Sequence, residues 1–126
     1  MRKVLLVDDE MIVRKGMKML VDWHKFGMEV VAEAPNGEEA LNMMSPQPID
    51  LVVTDIRMPL CDGIELMRKI KESFSQTKVI LLTCYNDFEY VQEALEMGAS
   101  GYLLKTDLED QKLEKLLTKL QREWEY

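Results

Sequence analysis

Five short apolar runs punctuate the chain: "VLLV" (4–7), "EVVAEA" (29–34), "DLVVT" (50–54), "KVILLT" (78–83) and "GYLLK" (101–105). Three of them are nearly continuous in Val, Leu and Ile, without the alternation that one wet face would impose. Such runs suit strands covered on both faces, as in a parallel sheet. Between them, apolar residues recur near the helical period. Ile12, Gly16, Met19 and Trp23 mark one stripe; Ile64, Met67, Ile70 and Phe74 another; Leu113, Leu116, Leu117, Leu120 and Trp124 a third. Asn36 and Glu39 read as a capping box opening the second helix, and "SPQP" (45–48) closes it, since proline cannot continue a helix. Asn86 and Asp87 favour a helix start before "FEYVQEALEM", and Gly98 suits its C-terminal stop. The pattern predicts one α/β domain over residues 1–126: (βα)5, a doubly wound open parallel sheet with helices on both sides.

Composition narrows the function classes. The net charge of −7 over 126 residues argues against this segment gripping DNA, which needs clustered Lys and Arg. "VLLV" is too short for a signal peptide's apolar region, and no run approaches a membrane span; the expected location is the cytoplasm, with no membrane partner. Cys61 and Cys84 form no CxxC pair and read as reduced, small apolar fillers. His24, the sole histidine, reads as surface or loop.

In open α/β sheets a ligand sits beyond the carboxyl ends of the strands. Those ends carry Asp8 and Asp9, then Asp55, Thr83 and Lys105. Three carboxylates, a hydroxyl and an ammonium thus share one edge. Two like charges near 4 Å repel by roughly 4 kcal/mol at an effective dielectric near 20, so a cluster such as Asp8-Asp9-Glu10 invites a cation. An isolated acidic pair after a strand is more simply a solvated helix N-terminus favoured by the dipole; Asp55 and Lys105 at matching strand ends weigh against that, while Glu10 reads equally well as first-turn charge. No Gly-rich turn follows the first strand, which disfavours a nucleotide. Oxygen-only ligation points to a hard cation such as Mg²⁺. Asp55 could then act as a nucleophile toward a phosphoryl group, with Mg²⁺ and Lys105 neutralising its oxygens and Thr83 offering a hydroxyl.

"VLLVDDE", "DLVVTDIRMPLCDGIEL", "VILLT" and "GYLLK", in this order and spacing, resemble the receiver domain of bacterial two-component response regulators. "GMEVVAEAPNGEEAL" and "CYNDFEYVQEALEMGASGYLLK" are similar to receivers of the YesN-like group, whose members carry an AraC-type helix-turn-helix output domain. The resemblance implies a flavodoxin-like strand order of 2-1-3-4-5 and a transcriptional output. It implies Asp55 as phosphoacceptor for a sensor histidine kinase, and Mg²⁺ held by Asp9, Asp8, Asp55 and the backbone carbonyl of Arg57. It also implies Lys105 as the phosphoryl's partner, with Thr83 and Tyr102 as a conformational switch. A homodimer through the fourth helix, fifth strand and fifth helix is implied on phosphorylation. With the chain ending at Tyr126, DNA contact is expected only through an output domain absent from this chain. No substrate turnover is expected beyond the domain's own phosphotransfer and autodephosphorylation.

Two departures stand out. Thr106 follows Lys105 where the family usually has proline, which puts the reach of Lys105 in question. Cys84 stands beside Thr83 where Ala or Gly is commoner. Two other functions compete: an interaction module of the same fold that has abandoned phosphorylation, and a phosphatase with an aspartyl nucleophile. The latter usually places a spaced DxD after the first strand, which Asp8-Asp9-Glu10 does not supply.

Overall fold

The computed structural model describes residues 1–84, 87–108 and 111–125. Its strands are β1 (Arg2–Val7), β2 (Met28–Ala34), β3 (Leu51–Asp55), β4 (Lys78–Thr83) and β5 (Gly101–Leu104). They are parallel and ordered β2-β1-β3-β4-β5. The helices are α1 (Met11–Leu20), α2 (Gly37–Met44), α3 (Gly63–Ser73), α4 (Phe88–Glu96) and α5 (Lys112–Trp124). Short 3₁₀ turns span Trp23–Phe26 and Lys105–Asp107.

The continuous apolar runs are explained by two cores, one on each face of the sheet. Leu5, Val7, Val52, Val79 and Leu81 pack with the helices α2, α3 and α4. Their strand neighbours Val4, Leu6, Val53, Ile80 and Leu82 pack with Met17 of α1 and with Leu113, Leu117 and Leu120 of α5. Successive side chains point to opposite faces, so a strand buried on both sides has no position to leave polar. Each fully buried Val, Leu or Ile contributes about 1.5–3 kcal/mol relative to exposure.

The expected stripes of α3 and α5 face these cores, and side-chain or glycine caps close the ends of α2, α3 and α4. Asn36 Oδ1 accepts the Glu39 N–H at 2.9 Å, Asp62 Oδ1 accepts the Glu65 N–H at 2.8 Å, and Gly98 takes φ +101° after α4. Asn86 lies outside the described residues. The α1 stripe is a correction. Ile12 and Met19 are 78% and 84% exposed, and the buried side runs through Val13 and Met17 to Val21. The expected stripe also took in Trp23, but α1 ends at Leu20 and Trp23 is buried from a separate 3₁₀ turn, its Nε1 donating to the Met17 carbonyl at 3.1 Å. Residues beyond a helix's end do not share its phase.

Candidate functional site: an acidic pocket at the C-terminal edge of the sheet

β1 and β3 lie side by side at the middle of the sheet, so the residues leaving their C-terminal ends converge. The chain leaves β1 through Asp8, whose N–H donates to the Ala34 carbonyl at 3.1 Å and whose carbonyl accepts from Arg14 Nη1. Asp8 is completely buried. Its Oδ1 accepts the Glu10 N–H at 2.9 Å; its Oδ2 has no hydrogen bond but lies 3.1 Å from Lys105 Nζ. The contact is an ion pair whose angles fall outside hydrogen-bond geometry. Asp9 and Glu10 are exposed, and ligand oxygens of Asp8, Asp9 and Glu10 all lie within 4.8 Å of one another.

Asp55, the last residue of β3, is 4% exposed. Its Oδ1 accepts the Arg57 N–H at 3.4 Å, and its Oδ2 accepts from Lys105 Nζ at 2.8 Å. Close packing enforces this position. The Gly63 N–H donates to the Ile56 carbonyl at 2.7 Å, bringing the start of α3 so near that a Cβ on Gly63 would lie 2.3 Å from the Asp55 carbonyl oxygen.

Lys105 thus joins both carboxylates and also reaches Glu10 Oε1 at 3.3 Å. It does so from the 3₁₀ turn after β5, and no cis peptide bond occurs among the described residues. Thr106 in place of proline therefore leaves the reach of Lys105 intact. Burial raises Asp8 from the usual 3.8 to about 6, with the charge of Asp55 adding to it, against the lowering effects of the Glu10 N–H and Lys105. Burial likewise raises Asp55, more than Lys105 lowers it. For Lys105 burial works downward, but the hydrogen bond and charge of Asp55, then the ion pair with Asp8, outweigh it and the ammonium is held charged. One cation shared between two buried anions leaves it secure and both of them short of compensation.

Thr83 ends β4, one residue beyond Leu82, the strand partner of Asp55. Its hydroxyl is buried, donating to the Cys84 carbonyl at 2.9 Å with Asp87 Oδ2 at 3.4 Å. Tyr102 is half exposed on β5. Between it and Thr83 an apolar groove of about 400 Å³ is lined also by Cys84, Phe88, Val91 and Leu104.

The pocket therefore unites Asp8, Asp55 and Lys105 by direct contact and sets Asp9 beside them. Glu10, which the sequence left open between the acidic cluster and first-turn helix charge, belongs to the cluster and to the Lys105 ion pairs. The Asp55 carboxylate lies outside the group of mutually close oxygens. Two residues carry roles that the sequence reading missed. Arg57 entered it only for its carbonyl, yet its Nε lies 2.7 Å from Asp87 Oδ1. Asp87 entered as a cap, yet makes no side-chain cap bond to α4; it turns back to accept the Cys84 N–H at 3.0 Å. The one available signal was a second acidic residue four places beyond Thr83.

The family model described as the response regulator receiver domain matches residues 4–118. The chain is 36% identical over 126 residues to the uncharacterized transcriptional regulatory protein YesN of Bacillus subtilis (strain 168), covering 98% of this chain and 34% of that protein. It is 42% identical over 105 residues to the transcriptional regulatory protein LnrK of the same organism, covering 83% and 47%. The chain thus spans about a third to a half of these curated relatives. Among solved structures, the REC domain of AraT, a response regulator from Geobacillus stearothermophilus, superposes with a TM-score of 0.84 at 38% identity, covering 98% of both chains. The Salmonella typhimurium RcsB response regulator gives 0.85 at 27% identity, covering 97% of this chain and 62% of that one. With the strand order, the acidic pocket and these matches in agreement, the chain belongs to the response regulator receiver domain family.

Proposed function

We propose that the domain is a Mg²⁺-dependent phosphoacceptor switch in which Asp55 takes a phosphoryl group from the phosphohistidine of a sensor histidine kinase. The observation that carries this reading is the buried Asp55 carboxylate, held 2.8 Å from Lys105 Nζ, which also pairs with Asp8 and Glu10 of the acidic cluster. The donor set suits the ion: every ligand atom is oxygen, and Asp8 Oδ2 is a buried anionic oxygen with no hydrogen bond of its own. Asp8 and Asp9 would hold it, with Glu10 in reach and the Asp55 carboxylate and Arg57 carbonyl completing the set. Bound there, Mg²⁺ supplies positive charge against the phosphoryl oxygens.

In the transfer, one Asp55 carboxylate oxygen forms a bond to phosphorus as the phosphorus–nitrogen bond of the phosphohistidine breaks, and the imidazole leaves with the bonding pair. Lys105, already held as the cation, shifts its pairing from the carboxylate to the new phosphoryl oxygens. The acyl phosphate carries about −1.5 to −2 charges in place of the single charge of the carboxylate. Thr83 then turns its hydroxyl to a phosphoryl oxygen, and the Tyr102 ring moves into the groove beside it. The α4–β5–α5 face so altered forms the homodimer or releases an output domain of the kind the longer relatives carry. DNA contact belongs to that domain, and the setting is cytoplasmic.

The test is incubation with acetyl phosphate and Mg²⁺, followed by intact mass. A stoichiometric, hydroxylamine-labile phosphoryl adduct that Asp55→Ala abolishes is the expected result. Multiple turnover of a phosphate ester would indicate a phosphatase instead. Absence of an adduct with any donor would leave a phosphorylation-independent interaction module.

A further inference from the structure

We propose that Asp87 is a positioning residue that holds both the Thr83 hydroxyl and the Arg57 guanidinium until a phosphoryl group on Asp55 competes for them. This rests on the phosphoacceptor reading of Asp55 and names what restrains the switch at rest.

Asp87 is 1% exposed and precedes α4, where an aspartate ordinarily accepts backbone N–H groups of the first helical turn. It makes no such bond. Its Oδ2 instead accepts the Cys84 N–H at 3.0 Å and lies 3.4 Å from the Thr83 hydroxyl, whose proton it shares with the nearer Cys84 carbonyl at 2.9 Å. Its Oδ1 pairs with Arg57 Nε at 2.7 Å, off the angle of a hydrogen bond. The guanidinium also lies over the Tyr90 ring, 5.6 Å from its centroid, and its side chain is 60% exposed.

The two residues that carry these donors are backbone neighbours of Asp55. The Arg57 N–H points at Asp55 Oδ1, and Thr83 follows the strand partner of Asp55. A threonine hydroxyl has one proton, so it cannot serve Asp87 or Cys84 and a phosphoryl oxygen at once. A phosphoryl group offers three strong acceptor oxygens and up to about two negative charges, against the single charge of Asp87. The release is cheap on the Asp87 side. Oδ2 keeps the Cys84 N–H when Thr83 leaves, and the exposed guanidinium can turn without unpacking a core. Asp87 thus acts at rest as a substitute for the phosphoryl group, stabilising the unswitched arrangement and lowering the share of molecules with Thr83 free to engage.

The decisive variant is Asp87→Asn. Its amide oxygen can still accept the Cys84 N–H and brace the loop, but it lacks the charge that holds Arg57 and Thr83. With acetyl phosphate and Mg²⁺, adduct formation should accelerate about three- to tenfold. In the unphosphorylated variant the Thr83 methyl resonance should move toward its position in phosphorylated wild type. Asp87→Ala, which also loses the loop brace, should add a fall in Tm. A purely structural Asp87 would lower Tm in Asp87→Ala while leaving the rate and the methyl resonance of Asp87→Asn at wild-type values, and that result overturns the proposal. Wild type serves as the reference. An adduct that forms normally there, with Asp87→Asn unchanged, refutes the restraint alone; no adduct in wild type refutes the phosphoacceptor reading and the restraint with it.

Discussion

Asp8→Asn should make the metal-free domain more stable at neutral pH while weakening its hold on Mg²⁺. The folded protein raises the Asp8 carboxyl from 3.8 to about 6. Above both values, keeping that buried carboxylate ionised costs the folded state about 3 kcal/mol. Asparagine removes the charge and keeps Oδ1 for the Glu10 N–H, now 2.9 Å away. Its amide would face Lys105 Nζ where Oδ2 sits at 3.1 Å, which returns part of the gain. The net stabilisation should be about 1–2 kcal/mol, or about 4–8 °C in Tm for a domain of this size. Because the folded pKa lies above the unfolded one, the native state holds a proton that the unfolded chain has released between pH 3.8 and about 6. The Asp8 contribution to wild-type stability is therefore fully present below that window and is lost as pH rises through it. The variant's advantage should accordingly be largest at neutral pH and close on acidification to about pH 4. Thermal unfolding with a chelator, across this range, measures it; adding Mg²⁺ should then raise the Tm of wild type more than that of Asp8→Asn. A variant equal to or less stable than wild type at neutral pH without metal would refute the claim that the pocket stores uncompensated negative charge.

Gly63→Ala would set a Cβ 2.3 Å from the Asp55 carbonyl oxygen and 2.8 Å from Ile56 Cα, both backbone atoms. Denaturant unfolding should show a loss of about 2–4 kcal/mol, and the folded fraction should take up phosphoryl more slowly because Asp55 has been displaced. Asn36→Ala removes the acceptor of the Glu39 N–H and should cost about 1 kcal/mol, read as a Tm lower by about 4 °C with adduct formation at Asp55 unchanged.

The difference in kind between these sites tracks what a sequence can carry. Strand positions were legible because burial on both faces forces an unbroken apolar run, and Leu5 beside Leu6 has no other economical explanation than two opposed cores. Asp8, Asp55, Thr83 and Lys105 were legible for a topological reason: each terminates or follows a parallel strand, and all such ends lie on one edge. The phase of α1 was only partly legible: Arg14, Lys15 and Lys18 mark its wet side, but Met11, Ile12, Val13, Met17, Met19 and Leu20 spread over more than half of the remaining circumference. An apolar arc wider than the face a sheet can cover leaves more than one phase open, and the packing of Val13 and Met17 under the sheet selects one. The ion-pair partners of Glu10, Arg57 and Asp87 escaped for a related reason. A charged residue in a loop satisfies every local rule by pointing at solvent or capping a helix, and its sequence neighbours do not reveal that a cation 95 residues away, in the case of Glu10 and Lys105, makes a better partner. Periodicity reports which side of an element is dry; it does not report where a long charged side chain goes. The least legible residues here are therefore the ones whose partners come from other strand ends, and the sheet edge that assembles the pocket also conceals its wiring from the sequence.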